Sequence, residues 1–155
     1  MSQTSMVLDA SVTLAWLLGR TDAQESLLAR HLLEVAHDSQ STVPPIWHLE
    51  IANGMLRAER SHLVSQDQLA SFNRILSRLP IVRDLSAAAF RIASVCQLAR
   101  SHALTAYDAS YLELALRSGR HLATFDRKLA DAARACGVSV WGQPHGVAEP
   151  MVRYG

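Results

Sequence analysis

The sequence predicts an α/β domain built on a short-stranded, mainly parallel sheet flanked by helices, and three observations carry that prediction. Short β-type runs alternate with longer segments of helical apolar spacing along the chain. No two-residue hairpin signal separates two strand-like runs, so the strands must be joined by crossovers rather than tight turns. The length, 155 residues with 49% apolar, suits one domain, and a chain of that size buries roughly 70% of the surface it exposes when unfolded.

Each element has its own signal. Met6-Val7-Leu8 is a brief apolar strand, followed at once by a helix over 11–19. A second helix covers 22–36, with Asp22 as its N-cap and Glu25 three residues on. Thr42-Val43 is β-prone and is stopped by Pro44-Pro45, after which Pro45 opens a helix reaching Arg60. On that helix Leu49, Ala52, Met55 and Leu56 form the expected apolar face, and Glu50, Asn53, Gly54 and Arg57 form a polar stripe. An amphipathic helix over 66–79 stops at Pro80, and Ile81-Val82 is a short strand. Helices over 86–101 and 105–118 follow, the second ended by Gly119. Residues 121–125 read as strand, 127–136 as helix and 138–141 as a last strand; the tail over 142–155 has no periodicity and is expected to pack loosely.

Charge and cysteine content narrow the function classes. Fifteen Lys and Arg against fourteen Asp and Glu give a net charge of +1, which excludes a purely electrostatic wrapper of nucleic acid but not a local basic patch. Cys96 and Cys136 are too few for a disulfide scaffold or a cysteine zinc site. Cys96 shares a helical stripe with Ala88, Ile92, Val95 and Ala99, which predicts a buried free thiol. The start of the chain has no basic leader pattern, and the apolar run from Leu14 to Leu18 is too short to span a bilayer. The expectation is a soluble protein of a reducing cytoplasm. Walker and Gly-x-Gly-x-x-Gly loops, His-Glu-x-x-His and Gly-x-Ser-x-Gly are all absent from the sequence.

In open parallel sheets ligands bind beyond the carboxyl ends of the strands, and four acids fall there. Asp9 directly follows the first strand and Asp126 directly follows Phe125. Glu50 lies near the start of the helix after the second strand, and Asp108 lies in the first turn of the helix that Thr105 opens. Taken singly, Asp9 and Asp126 are ordinary N-cap candidates, and Thr105 to Asp108 has capping-box spacing. Taken together, a parallel sheet collects them into one cleft, where like charges raise one another's pKa unless a cation compensates. Oxygen-only ligands favour Mg²⁺ or Mn²⁺, and carboxylates holding such ions suit phosphodiester hydrolysis. Ser11, two residues after Asp9, and Thr124, two before Asp126, are hydroxyls placed to support the site.

At these residues the sequence resembles a known family. Val7-Leu8-Asp9-Ala10-Ser11 looks like the opening motif of PIN-domain ribonucleases, and residues 44–53, Pro-Pro-Ile-Trp-His-Leu-Glu-Ile-Ala-Asn, like their second acidic motif. Residues 104–115, Leu-Thr-Ala-Tyr-Asp-Ala-Ser-Tyr-Leu-Glu-Leu-Ala, resemble the third motif, and Leu122-Ala123-Thr124-Phe125-Asp126-Arg127-Lys128-Leu129 the fourth. Order, spacing and length are most similar to VapC toxins of bacterial toxin–antitoxin pairs. The resemblance implies a single three-layer PIN-like domain and a Mg²⁺- or Mn²⁺-dependent endoribonuclease, often dimeric, inhibited by a small antitoxin. It makes Asp9, Glu50, Asp108 and Asp126 the catalytic and metal-holding quartet, with Ser11, Thr124 and Thr105 in support.

Four carboxylates repel RNA unless cations surround them. Arg57 on the Glu50 stripe, with Arg127 and Lys128 beside Asp126, are the candidate substrate contacts, and Arg74 with Arg78 forms a further patch; each also reads as a solvated helix charge. Trp16, Trp47, Trp141, Tyr107 and Tyr111 read as core or interface residues rather than base-stacking platforms. Two rival functions remain at this level: a non-catalytic interaction module on the same fold, and a PIN-like nuclease acting outside toxin–antitoxin regulation.

Overall fold

Met6, Val7 and Leu8 are wholly buried and form the central strand β1 (Met6–Leu8). A strand apolar at every position needs cover on both faces, which parallel α/β sheets provide. The computed structural model describes residues 5–86 and 88–142, with the backbone alone for 88–90. After β1 come α1 (Ala10–Leu18), α2 (Ala23–Asp38), β2 (Ser41–Val43), α3 (Trp47–Arg60), α4 (Gln66–Arg78) and β3 (Ile81–Arg83). Then follow α5 (Ala88–His102), α6 (Ala106–Ser118), β4 (His121–Thr124), α7 (Arg127–Ala135) and β5 (Val140–Gly142).

The five strands form one sheet in the order β3-β2-β1-β4-β5, and every pairing is parallel. Met6 lies opposite both Ser41 and His121, so β1 is in register with a neighbour on each side. The connections from β1 to β2 and β2 to β3 step one way across the sheet, and those from β3 to β4 and β4 to β5 step back. Right-handed crossovers therefore put α1 to α4 on one face and α5 to α7 on the other. Packing agrees: α1 rests against α2, α3 and α4, whereas α6 packs on β1, β4, α5 and α7. The result is the expected three-layer α/β fold, with its direction reversal between β1 and β4.

Local chemistry sets the helix ends. Asp22 caps α2 by accepting from Glu25 N at 2.9 Å, and Ser65 and Gln68 form a reciprocal capping box on α4. Gly119 ends α6 in the left-handed conformation, φ 68°. Pro45 is not the first helical residue: Trp47 N bonds Pro44 O at 3.0 Å, so a turn precedes α3.

Two predicted faces are corrected. On α3 the buried residues are Trp47, Ile51 and Ala58, and Leu49 is 68% exposed. On α5 the thiol of Cys96 is exposed and so is Ile92, because that helix meets the core through Val95, Leu98 and Ala99. Both cysteines are free thiols, as expected. The predicted loose tail, apart from Gly142, lies outside the described residues.

Candidate active site

The carboxyl ends of β1 and β4 lie side by side at the reversal, and an aspartate stands close behind each. Asp9 occupies the N-cap position of α1 but its side chain makes no capping bond. Ser11 Oγ donates to Asp9 Oδ2 at 2.5 Å, and Thr124 Oγ1 donates to the same oxygen at 2.7 Å. Each hydroxyl also accepts a backbone N–H from the β4–α7 junction: Phe125 N reaches Ser11 at 3.0 Å and Asp126 N reaches Thr124 at 2.9 Å. A hydroxyl has one hydrogen, so both are committed to Asp9, which is locked between the two central strands. Its Oδ1 has no hydrogen bond among the described residues.

The other acids are held separately. Asp126 caps α7, accepting from Leu129 N at 2.8 Å. Asp108 is the third residue of α6, which Thr105 caps by accepting from Asp108 N at 3.1 Å. Glu50, in the first turn of α3, accepts from the Tyr111 hydroxyl at 2.6 Å. All four acids and Ser11 line one open cleft of about 280 Å³, with Asn53, Gly54 and Arg57 forming its α3 wall.

Crowding and burial set the electrostatics. Burial pushes the Asp9 carboxyl up to about 6; the Ser11 and Thr124 hydroxyls oppose this, and Glu50 and Asp108 add to it. Burial raises Glu50 too, against the Tyr111 hydrogen bond and with help from Asp108. Asp108 is raised by burial and by Asp126, while Thr105 and Lys128 pull it down. The cleft is therefore short of positive charge. Arg57 is the one cation on its wall among the described residues, and it joins none of the ion pairs found there.

The predicted site residues divide accordingly. Asp9, Glu50, Asp108, Asp126, Ser11 and Arg57 share the cleft, and Thr124 and Thr105 stand behind it holding Asp9 and the start of α6. Lys128 is exposed and acts on Asp108 through space, whereas Arg127 is exposed and does not line the cleft. Arg74 and Arg78 are on α4, off the cleft. Of the aromatics, Trp47 and Tyr111 are buried, but Tyr107 is 60% exposed, contrary to a core reading. Sequence reasoning missed Tyr111 as a partner of Glu50; the signal was its position one turn after Asp108.

A cation fits the donor set. The available donors are all oxygens, three of the carboxyls are raised by burial and mutual repulsion, and both hydroxyl bonds to Asp9 fall on Oδ2. No three of His, Cys, Asp and Glu among the described residues form a ready cage. Mg²⁺ does not need one, since it retains several waters and commonly binds through one or two carboxylates. A cavity of about 540 Å³ between α2 and β5, larger than the acid cleft, is lined by none of these acids and brings together Leu28, Leu32, Val35 and Trp141. Convergent charge, rather than volume, marks the site.

Comparison with known proteins agrees with this geometry. No curated protein matches the chain. Among solved structures it is similar to PAE2754 from Pyrobaculum aerophilum, with 23% identity, 89% of this chain and 90% of that one covered, and a TM-score of 0.60. It is also similar to FitAcB from Neisseria gonorrhoeae, with 18% identity, 88% and 96% covered, and a TM-score of 0.54. At these identities the likeness is one of fold. The PIN domain family matches residues 6–135, a span that contains all four cleft acids and both hydroxyls that hold Asp9. The three-layer parallel fold, the acids at its direction reversal and this match lead to one conclusion: the chain belongs to the PIN domain family.

Proposed function

We propose that this chain is an endoribonuclease that hydrolyses RNA phosphodiester bonds with Mg²⁺ or Mn²⁺, and that it acts as the toxin of a type II toxin–antitoxin pair. One observation carries the catalytic reading: acids from four separate elements converge on one cleft, and Asp9 is held there by two hydroxyls instead of capping its helix. Asp9, Glu50, Asp108 and Asp126 hold the cation. When bound, it supplies charge stabilisation at the scissile phosphate and makes water a nucleophile near neutral pH. Ser11 and Thr124 keep Asp9 oriented, and Thr105 fixes the turn that carries Asp108. Arg57, unpaired on the wall, meets a phosphate oxygen of the substrate, and its planar fork suits that contact. Lys128 and Arg127 extend the positive rim, which a chain of net charge +1 needs in order to attract RNA locally.

RNA as substrate and a small antitoxin as partner rest on the sequence resemblance to VapC toxins. A homodimer is supported by the exposed apolar side chains of Leu49 on α3 and Tyr107 on α6, which line one open groove with Pro44, Pro45 and Ile46. Two free thiols suit a cytoplasmic location. Among the described residues no helix is long and apolar enough to cross a membrane.

The test is cleavage of a mixed RNA pool by purified protein with Mg²⁺, Mn²⁺ or chelator, beside Asp108→Asn. Metal-dependent cleavage that disappears in the folded variant is expected; cleavage that persists in it would assign the activity to a contaminant. Arg57→Ala should raise KM about tenfold, the scale of one lost charge-assisted contact, with Mn²⁺ affinity unchanged. One rival is a non-catalytic module whose acids are caps and docking charges, and the Asp126 side chain does cap α7. Under that rival Mg²⁺ would not change the melting temperature.

A further inference from the structure

Asp9 and Asp126 are held by hydrogen bonds from the β1–β4 seam and the start of α7: Asp9 has Ser11 and Thr124, and Asp126 has Leu129 N. Thr105 accepts from the backbone N–H of Asp108 and so fixes that residue's turn, whereas Glu50 is tied across the fold. Glu50 has one hydrogen-bond partner among the described residues, and it comes from another helix 61 positions away: the hydroxyl of Tyr111, 2.6 Å from Oε1. We infer that Tyr111 is a positioning residue of the acid cleft, its buried phenol holding the Glu50 carboxylate in place as a cation ligand and tying α6 to α3. This inference rests on the metal-dependent reading above.

Four observations support it. Tyr111 is completely buried, and a phenylalanine would fill that space equally well, so the hydroxyl is not there for packing. A buried phenol must find a partner, and this one takes a carboxylate of the cleft rather than a backbone carbonyl. Tyr111 lies one helical turn after Asp108, on the same side of α6. Its oxygen also lies near the backbone N–H of Ala10 and the charge of Asp9, so one side chain senses α3, α6 and the β1–α1 junction.

Glu50 needs this restraint more than its neighbours do. A glutamate has three side-chain torsions, and fixing such a side chain costs rotamer entropy. Repulsion from Asp108 also drives it towards solvent. The phenol counters both effects and occupies only Oε1, leaving Oε2 for a cation.

The experiment measures Mn²⁺ binding by EPR for the wild-type chain, Tyr111→Phe, Glu50→Gln and the double variant, alongside melting without metal. Tyr111→Phe is expected to weaken Mn²⁺ binding by about 10–100-fold, the usual cost of losing a group that orients a ligand, while melting near the wild-type temperature. The double variant should bind no more weakly than Glu50→Gln, because Tyr111 acts through Glu50. Equal affinity in Tyr111→Phe, or losses that add in the double variant, would overturn the inference and leave the proposed function intact. Absence of Mn²⁺ binding by the wild type would overturn both. A measurement without core variants uses 3-fluorotyrosine in the chain, which has three tyrosines. Mg²⁺ should shift the ¹⁹F resonance of Tyr111, identified with Tyr107→Phe and Tyr154→Phe, and an unmoved resonance at saturating Mg²⁺ counts against the role.

Discussion

At the scale of single residues, Asp9 shows how position and partner divide the work of one side-chain type. Asp22 and Asp126 stand before helices and cap them; Asp9 stands before a helix and does not, because two hydroxyls from either side of the β1–β4 seam claim its carboxylate. Its pKa of about 6 lies above the 3.8 of an ordinary aspartate. The folded chain therefore holds an extra proton between those values, and the metal-free fold loses stability as pH rises through that window. Glu50 and Asp108, raised by burial and by their acidic neighbours, act in the same direction. Asp9→Asn should accordingly raise the metal-free melting temperature at pH 7 by a few degrees, since each kcal/mol is worth about 2–4 °C in a domain of this size. The gain should disappear below pH 3.8, and calorimetry across pH checks it. A gain independent of pH would mean that burial of charge is not its source.

At the scale of elements, the cleft depends on how closely α1 approaches α3. Gly54 permits that approach: a Cβ there would lie 2.6 Å from both terminal methyls of Leu14. Gly54→Val should cost about 1–3 kcal/mol in urea unfolding, as overpacking does, and should lower Mn²⁺ affinity because α1 follows Asp9 and carries Ser11. Gly119 is the contrasting case, with a left-handed φ of 68° and open space around it. Gly119→Ala should cost about 1–2 kcal/mol of backbone strain and leave Mn²⁺ affinity unchanged. The sequence placed every strand and helix within a few residues, since apolar period and caps are local signals. It misplaced the buried faces of α3 and α5, because which side of a helix meets the core depends on the neighbour, and Leu49, Ile92 and Cys96 face away from theirs.

At the scale of the whole molecule, strand order makes the site. The connections leave β1 and β4 in opposite directions, which opens a crevice at their carboxyl ends, and Asp9 and Asp126 stand on its two sides. The acids crowded there weaken the metal-free fold, so a cation that binds only the folded chain must stabilise it. At one hundred times its Kd, Mg²⁺ adds about 2.7 kcal/mol, an expected rise in melting temperature of about 5–10 °C. Asp108→Asn should lose most of that rise, and differential scanning calorimetry with and without Mg²⁺ measures both.

By itself the sequence determined the fold class and the order of elements and singled out the acids and hydroxyls beside the strand ends, because strand and helix periods, caps and the acids beside them are written locally along the chain. Asp9, Glu50, Asp108, Asp126, Ser11 and Thr124 were all legible in this way. Only the tertiary structure decided that those four acids share one cleft, that Ser11 and Thr124 both turn to Asp9, and that Tyr111 reaches Glu50 across 61 residues. It also put Arg57 on the cleft wall and left Arg127 off it. The physical reason is that a hydrogen bond between side chains on different elements depends on sheet order and helix packing, and neither is encoded by the residues near the bond.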